Sequence, residues 1–179
     1  NYYTNDFSSA TLTNSFLSGA AAIASGVCTL HPALTSQAGG FTVNASGVNS
    51  TIYNVNFDLT ATATGTTIAD GFSYSFGDDA AATTSTPSAE HGSGSKLRVG
   101  FFTYNAASGS DGKGIYLMYG VTATSGYTSS TPGVLAYSTN VSWVPTAAGS
   151  ITSAVSLSIN AAGQATLIVG GTTIFNNVQ

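Results

Sequence analysis

Along most of its length this chain alternates apolar and polar residues with a period of two, and no other feature constrains its fold as strongly. Tyr53, Val55, Phe57 and Leu59 alternate with Asn54, Asn56, Asp58 and Thr60. Successive side chains of an extended strand point to opposite faces, so such a run predicts a strand with one buried face. Phe72, Tyr74 and Phe76 alternate with Ser73 and Ser75; Leu97, Val99 and Phe101 repeat the pattern, as do Ile115, Leu117 and Tyr119. Between Ile151 and Ile159, the side chains of Ile151, Val155, Leu157 and Ile159 fall on one side, with Thr152, Ala154, Ser156 and Ser158 on the other. A turn at Asn160-Ala161-Ala162-Gly163 precedes a strand over Ala165 to Val169, and Gly170-Gly171 predicts a tight hairpin into Thr172 to Phe175. No segment carries a helical period. Many short strands joined by Gly-rich turns indicate an all-β sandwich or barrel.

The 179 residues suit one domain with a sizeable core, and no repeat or linker divides them, so residues 1–179 are expected to fold together. Three basic and seven acidic residues leave the surface to neutral hydroxyls, and roughly a quarter of the chain is Ser or Thr. Such surfaces are common in secreted β-proteins and offer little repulsion to association. The expected location is extracellular or at the cell surface, and the polar first residues read as a chain already processed or cut from a longer one. Ala20 to Ala24 falls far short of the ~20 apolar residues of a spanning helix, which argues against membrane insertion. With Lys96, Arg98 and Lys113 as the only Lys or Arg residues, a phosphate-tracking surface for nucleic acid is also excluded.

Cys28 is the sole cysteine, so no internal disulfide forms, and a buried inert thiol is expected. Cys28 and His31 have the spacing of half a zinc site, but no second Cys exists and the other histidine is His91. The segments without strand pattern, Asp78 to Ser95 and Asn105 to Gly114, hold four of the seven acidic residues together with His91. A polar site is expected there. Catalysis is not expected. Glycoside hydrolysis needs two carboxylates at a defined separation, yet Glu90 is the only glutamate, and the adjacent Asp78 and Asp79 read as a solvated turn. No G-x-S-x-G elbow occurs, and neither histidine has an evident nucleophile partner.

The segment Ala69-Asp70-Gly71-Phe72-Ser73-Tyr74-Ser75-Phe76-Gly77 resembles the A-D-G-hydrophobic segment of legume-type lectins and their bacterial relatives, within the concanavalin A-like lectin/glucanase superfamily. Tyr53 to Leu59 resembles the strand before it, Glu90-His91-Gly92-Ser93-Gly94 the Gly-rich loop, and Leu97 to Asn105 the "V-x-F-D-T-Y-x-N" strand. Ala165 to Phe175 resembles the late hairpin. The resemblance implies a two-sheet antiparallel jelly-roll sandwich and a non-catalytic module that binds a glycan or polysaccharide. It implies Asp70 as acceptor for sugar hydroxyls, with Gly71 beside it, Gly92 or Gly94 donating main-chain N–H, and Asn105 nearby. Where those lectins carry the acidic ligands of a calcium and transition-metal pair, this chain has Gly100 and Phe102, so the pair is expected to be lost. The E-x-D-x-x-E strand of the glucanases on the same fold is missing.

In those lectins further strands follow the late hairpin, whereas the given sequence stops at Gln179; the domain is thus expected to lack its last strands. Its final thirty or so residues contain no Lys or Pro to guard an open edge. This suggests a second reading, a structural subunit of an extracellular filament, tube or surface layer that assembles by strand addition. Asn44, Asn49 and Asn140 fit the N-x-Ser/Thr glycosylation pattern.

Overall fold

A computed structural model of the chain describes residues 3–34, 36–44, 52–66, 68–80, 90–104, 112–121 and 128–179. Among these residues all regular structure is β, in antiparallel pairings, with no helix. The chain divides into two compact units: Asn1–Val48 with Ala81–Ala89, and Asn49–Ala80 with Glu90–Gln179.

The first unit holds two short ladders. Strand β1 (Ser15–Gly19) pairs with β4 (Gly39–Val43), and β2 (Ala22–Ala24) pairs with β3 (Val27–Thr29). Ser25 and Gly26, between β2 and β3, have φ of 53° and 77°, the two positive values that a tight twisted hairpin turn requires. Tyr3 and Phe7 both pack on Phe41, at centroid distances of 6.0 and 5.3 Å. Cys28 sits half-buried on β3, where desolvation raises its thiol pKa.

The second unit contains β5 (Tyr53–Ala63), β6 (Gly71–Phe76), β7 (Leu97–Phe102) and β8 (Gly114–Met118), then β9 (Val134–Ser138), β10 (Gly149–Ile159), β11 (Ala165–Val169) and β12 (Thr172–Val178). They form two four-stranded sheets in the orders β12-β11-β10-β5 and β6-β7-β8-β9. Val155, Leu157, Leu167, Val169 and Phe175 from the first sheet share one buried core with Val99, Phe101, Ile115 and Leu117 from the second. This is a sandwich-like arrangement, and burial alternates residue by residue along β5 and β11 and through much of β10. Trp143, from the β9–β10 connection, fills the same core with its ring set edge-on to Phe101 at 5.3 Å.

Burial is uneven within this core. Val99, Phe101, Leu117 and Leu157 are sealed, but Tyr53, Val55 and Phe57 on β5 and Phe72, Tyr74 and Phe76 on β6 are only half-buried. The cause is topological: among the described residues β5 and β6 are each the terminal strand of their sheet. Strands β7 and β8, which are central, are buried on both faces. Their outward-facing Phe102, Tyr116 and Met118 form a second apolar cluster with Val121, Val134 and Tyr137. At the opposite edge β12 is irregular: its register with β11 shifts twice, and Asn177 has φ of 51°.

Candidate functional site

Asp70 immediately precedes β6, at the end of the sheet where β6 and β8 begin and β7 ends. Its main chain is anchored. Thr103 N–H donates to Asp70 O at 3.0 Å, and the Thr103 hydroxyl lies 3.0 Å from the same oxygen and 3.1 Å from Ile68 O. The peptide bond between Ala69 and Asp70 is cis. The Asp70 side chain is exposed, and its carboxylate bonds to none of the described residues. Gly71 lies against β7 so closely that a Cβ there would collide with the Phe101 carbonyl oxygen. This explains a glycine beside the acid, because the two backbones approach face to face.

The Gly-rich loop, residues 90–95, lies over the outer face of β6 and is tied down at several points. Ser93 N donates to Ser75 Oγ at 3.2 Å, and Arg98, fully buried, donates to His91 O at 2.8 Å and to Val121 O at 2.6 Å. Asp79 holds the far end: its Oδ2 accepts from Ser95 Oγ at 2.7 Å and from Ser95 N at 2.8 Å. These bonds, first the hydroxyl and then the amide, lower the Asp79 carboxyl pKa. Gly92 and Gly94 have φ of 76° and 73°, a left-handed geometry that a side chain would strain. A Cβ at Gly92 would strike the hydroxyls of Ser73 and Ser75; one at Gly94 would lie 2.7 Å from Asp79 Oδ1.

These positions separate the residues that the resemblance groups together. Gly92 lies over the middle of β6, whereas Gly94 lies beside Asp79, beyond its far end. Six strand residues span about 20 Å, so Gly94 and Asp70 sit at opposite ends of β6. Asn105 and Asn49 fall outside the described residues. Tyr104, which directly follows the Thr103 that anchors Asp70, is 45% exposed. The sequence singled it out only as part of a strand; its exposure follows from its place just past the end of β7. Asn44 donates its main-chain N–H to Asn14 O. The Asn140 amide oxygen accepts from both the Ser142 hydroxyl (2.8 Å) and the Ser142 N–H (3.0 Å), forming a turn over its own N-x-Ser pattern.

The lectin-type metal pair does not fit the residues on β7. Phe102 is 1% exposed, its ring 5.5 Å from that of His91 and 5.3 Å from that of Tyr116. A Cβ at Gly100 would meet the Phe102 ring at 2.6 Å, so neither position can present an oxygen ligand without rebuilding the cluster. Among the described residues no group of three or more His, Cys, Asp and Glu side chains converges. His31 and Cys28 lie in the first unit and His91 in the second. The His31 Nδ1 is 3.1 Å from Pro32 O. Compared with protein-family models and with curated proteins, the chain matches none.

Proposed function

We propose that this chain is a non-catalytic, lectin-like carbohydrate-binding module of a secreted or surface protein, built on the concanavalin A-like jelly roll. One observation carries the reading: the exposed Asp70 carboxylate, unengaged by described residues, on a main chain held by Thr103. A carboxylate of this kind accepts charge-assisted hydrogen bonds from a pair of sugar hydroxyls, and an exposed ring such as Tyr104 offers an apolar platform for the face of the pyranose. Gly71 contributes by keeping the strand ends close, and Gly92 by letting the loop lie flat over β6. The test is a glycan array with the purified chain, run with and without chelator. Asp70→Ala should abolish retention of any glycan that binds while leaving the circular dichroism and melting unchanged. Undiminished retention by Asp70→Ala, or no retention by the parent chain, refutes the assignment.

A second reading, a structural subunit of an extracellular filament, tube or surface layer, draws on a different observation. The exterior of the β5–β10 ladder is a bed of hydroxyls and amides, with Thr60 Oγ1 2.8 Å from Thr152 Oγ1 and Thr62 Oγ1 2.8 Å from Ser150 Oγ. Asp58 is the only charged residue in that whole sheet. Negative staining of the concentrated chain for ordered filaments or layers tests it.

A further inference from the structure

We infer that the ligand of the Asp70 site is an anionic sugar, whose hydroxyls meet the Asp70 carboxylate while its negative group meets the ammonium of Lys113. The inference rests on the carbohydrate-binding reading above and names the class of sugar. Register puts the two residues at the same end of one sheet. Thr103 N–H donates to Asp70 O at 3.0 Å, which carries the β6–β7 ladder one step past its end pair, Gly71↔Phe102. Phe102 in turn pairs with Gly114, so Lys113 lies one step past that pair, opposite Thr103. Asp70, Thr103 and Lys113 therefore form a row across three neighbouring strand ends. Two residues along each strand, the next such row is Phe72, Phe101 and Ile115, which faces the core. Neighbouring strands lie about 4.8 Å apart, so the Asp70 and Lys113 main chains are separated by roughly 10 Å.

Both residues are held through the main chain. Asp70 O accepts from Thr103, and Lys113 O accepts from the Tyr137 hydroxyl at 2.8 Å. Lys113 is exposed, and neither its ammonium nor the Asp70 carboxylate bonds to a described residue. The two other Lys and Arg residues of the chain are placed elsewhere. Arg98 is buried and donates to the carbonyls of His91 and Val121. Lys96 adjoins Leu97, which pairs with Phe76 at the far end of β6. Lys113 is thus the cation of this end of the sheet.

A carboxylate and an ammonium at this separation suit a ring that carries hydroxyls on one side and a negative charge on the other. Adjacent hydroxyls of a pyranose donate to Asp70, and an acidic group across the ring accepts from Lys113 through a charge-assisted bond of about 2.8 Å. The flexible four-carbon stem of the lysine adjusts the gap to the ring. Charge decides which way the ring lies. Its anionic group touches Lys113 and stands about a screening length, ~8 Å at physiological ionic strength, from Asp70, so attraction outweighs repulsion. A neutral sugar would leave the ammonium to water alone. A carboxylate and a sulfate ester both supply the negative group.

The test is an array of gluco-, galacto- and mannopyranosides, each printed as the neutral sugar, its uronic acid and its sulfate ester. In at least one series the parent chain should hold an acidic form roughly tenfold more tightly than the neutral one, with the difference shrinking as salt is raised. Comparing the two acidic forms tells carboxylate from sulfate ester. Lys113→Gln should abolish the preference. Lys113→Arg should keep it, and so should Lys96→Gln at the other end of the sheet; circular dichroism checks that each variant is folded. A parent chain that holds the neutral forms as tightly as the acidic ones overturns the inference and leaves carbohydrate binding standing. An acidic preference that survives in Lys113→Gln overturns it too. Should the parent retain no form, or Asp70→Ala retain all as the parent does, the carbohydrate reading itself fails, and this inference with it.

Discussion

At the scale of single residues, the most informative positions are those where a side chain, or the lack of one, decides what its neighbours can do. Gly100 is vacant because the Phe102 ring lies over it, so Gly100→Ala should destabilise the chain by about 1–3 kcal/mol, the usual cost of overpacking. A urea melt with unchanged slope would show it. The same cluster predicts that chelator leaves the melting temperature of the purified chain where it was, because positions 100 and 102 offer no oxygen; a fall would reveal a bound cation. The A-D-G segment singled out Asp70 as a candidate, and Gly100 and Phe102 stood out as departures at the metal-ligand positions of the resemblance. The burial of Phe102 could not be read. Its depth depends on His91 and Tyr116 rings brought from elsewhere, and alternation alone assigns it to the solvent side. Tyr104 and Thr103 were equally hidden, because their roles come from where β7 stops rather than from residue type.

Elements were legible wherever one face alone is buried. The runs containing β5, β6 and β10 alternate plainly, while β11 and β12 were marked by the turns at Asn160 to Gly163 and Gly170-Gly171; the expected strands agree with those observed to within a few residues. For β7 and β8 alternation marked one row, while the second row was missed because a loop and a neighbouring strand cover it. Strand β9 escaped notice since its pairing with β8 is interrupted between Leu117 and Met118, which breaks the period. Strands β1 to β4 are short and two-stranded, so no buried face imposes a pattern. The Asp78–Asp79 turn is exposed as expected, but it does more than face water: Asp79 fixes the end of the 90–95 loop. Its carboxyl pKa is depressed in the folded chain, so the order it confers is complete above the ordinary value of 3.8. That order is lost as pH falls through the depressed value. Following the Ser95 amide resonance from neutral to strongly acid pH should show release only in the lower part of the carboxylate range. An earlier change, or none in Asp79→Asn relative to the parent, would mean the loop is held by other bonds.

For the molecule as a whole, the scarcity of charge is the governing property. Apart from Asp6, every Asp, Glu, Lys and Arg lies between Asp58 and Lys113, leaving β9 to β12 with none. Stability should therefore come almost entirely from apolar packing, and raising the salt concentration from low to molar should move the melting temperature little, since screening has few pairs to act on. Trp143→Ala, which empties the centre of the shared core, should cost about 3–5 kcal/mol in denaturant unfolding. A loss under 1 kcal/mol would mean that the connection between β9 and β10 is not part of the cooperative core.

Double-sided burial of β7 and β8 also has an evolutionary consequence. Along β5 the core tolerates change at every second residue, because Asn54, Asn56, Asp58, Thr60 and Thr62 lie on the outward side. Between Arg98 and Phe102, and again from Gly114 to Met118, there is no free residue to vary: each one is packed on one side or the other. Drift should thus accumulate in alternating stripes on the rim of the sandwich and stall in two solid blocks at its centre. Any descendant that changes Phe102 or Tyr116 must change its neighbours with it.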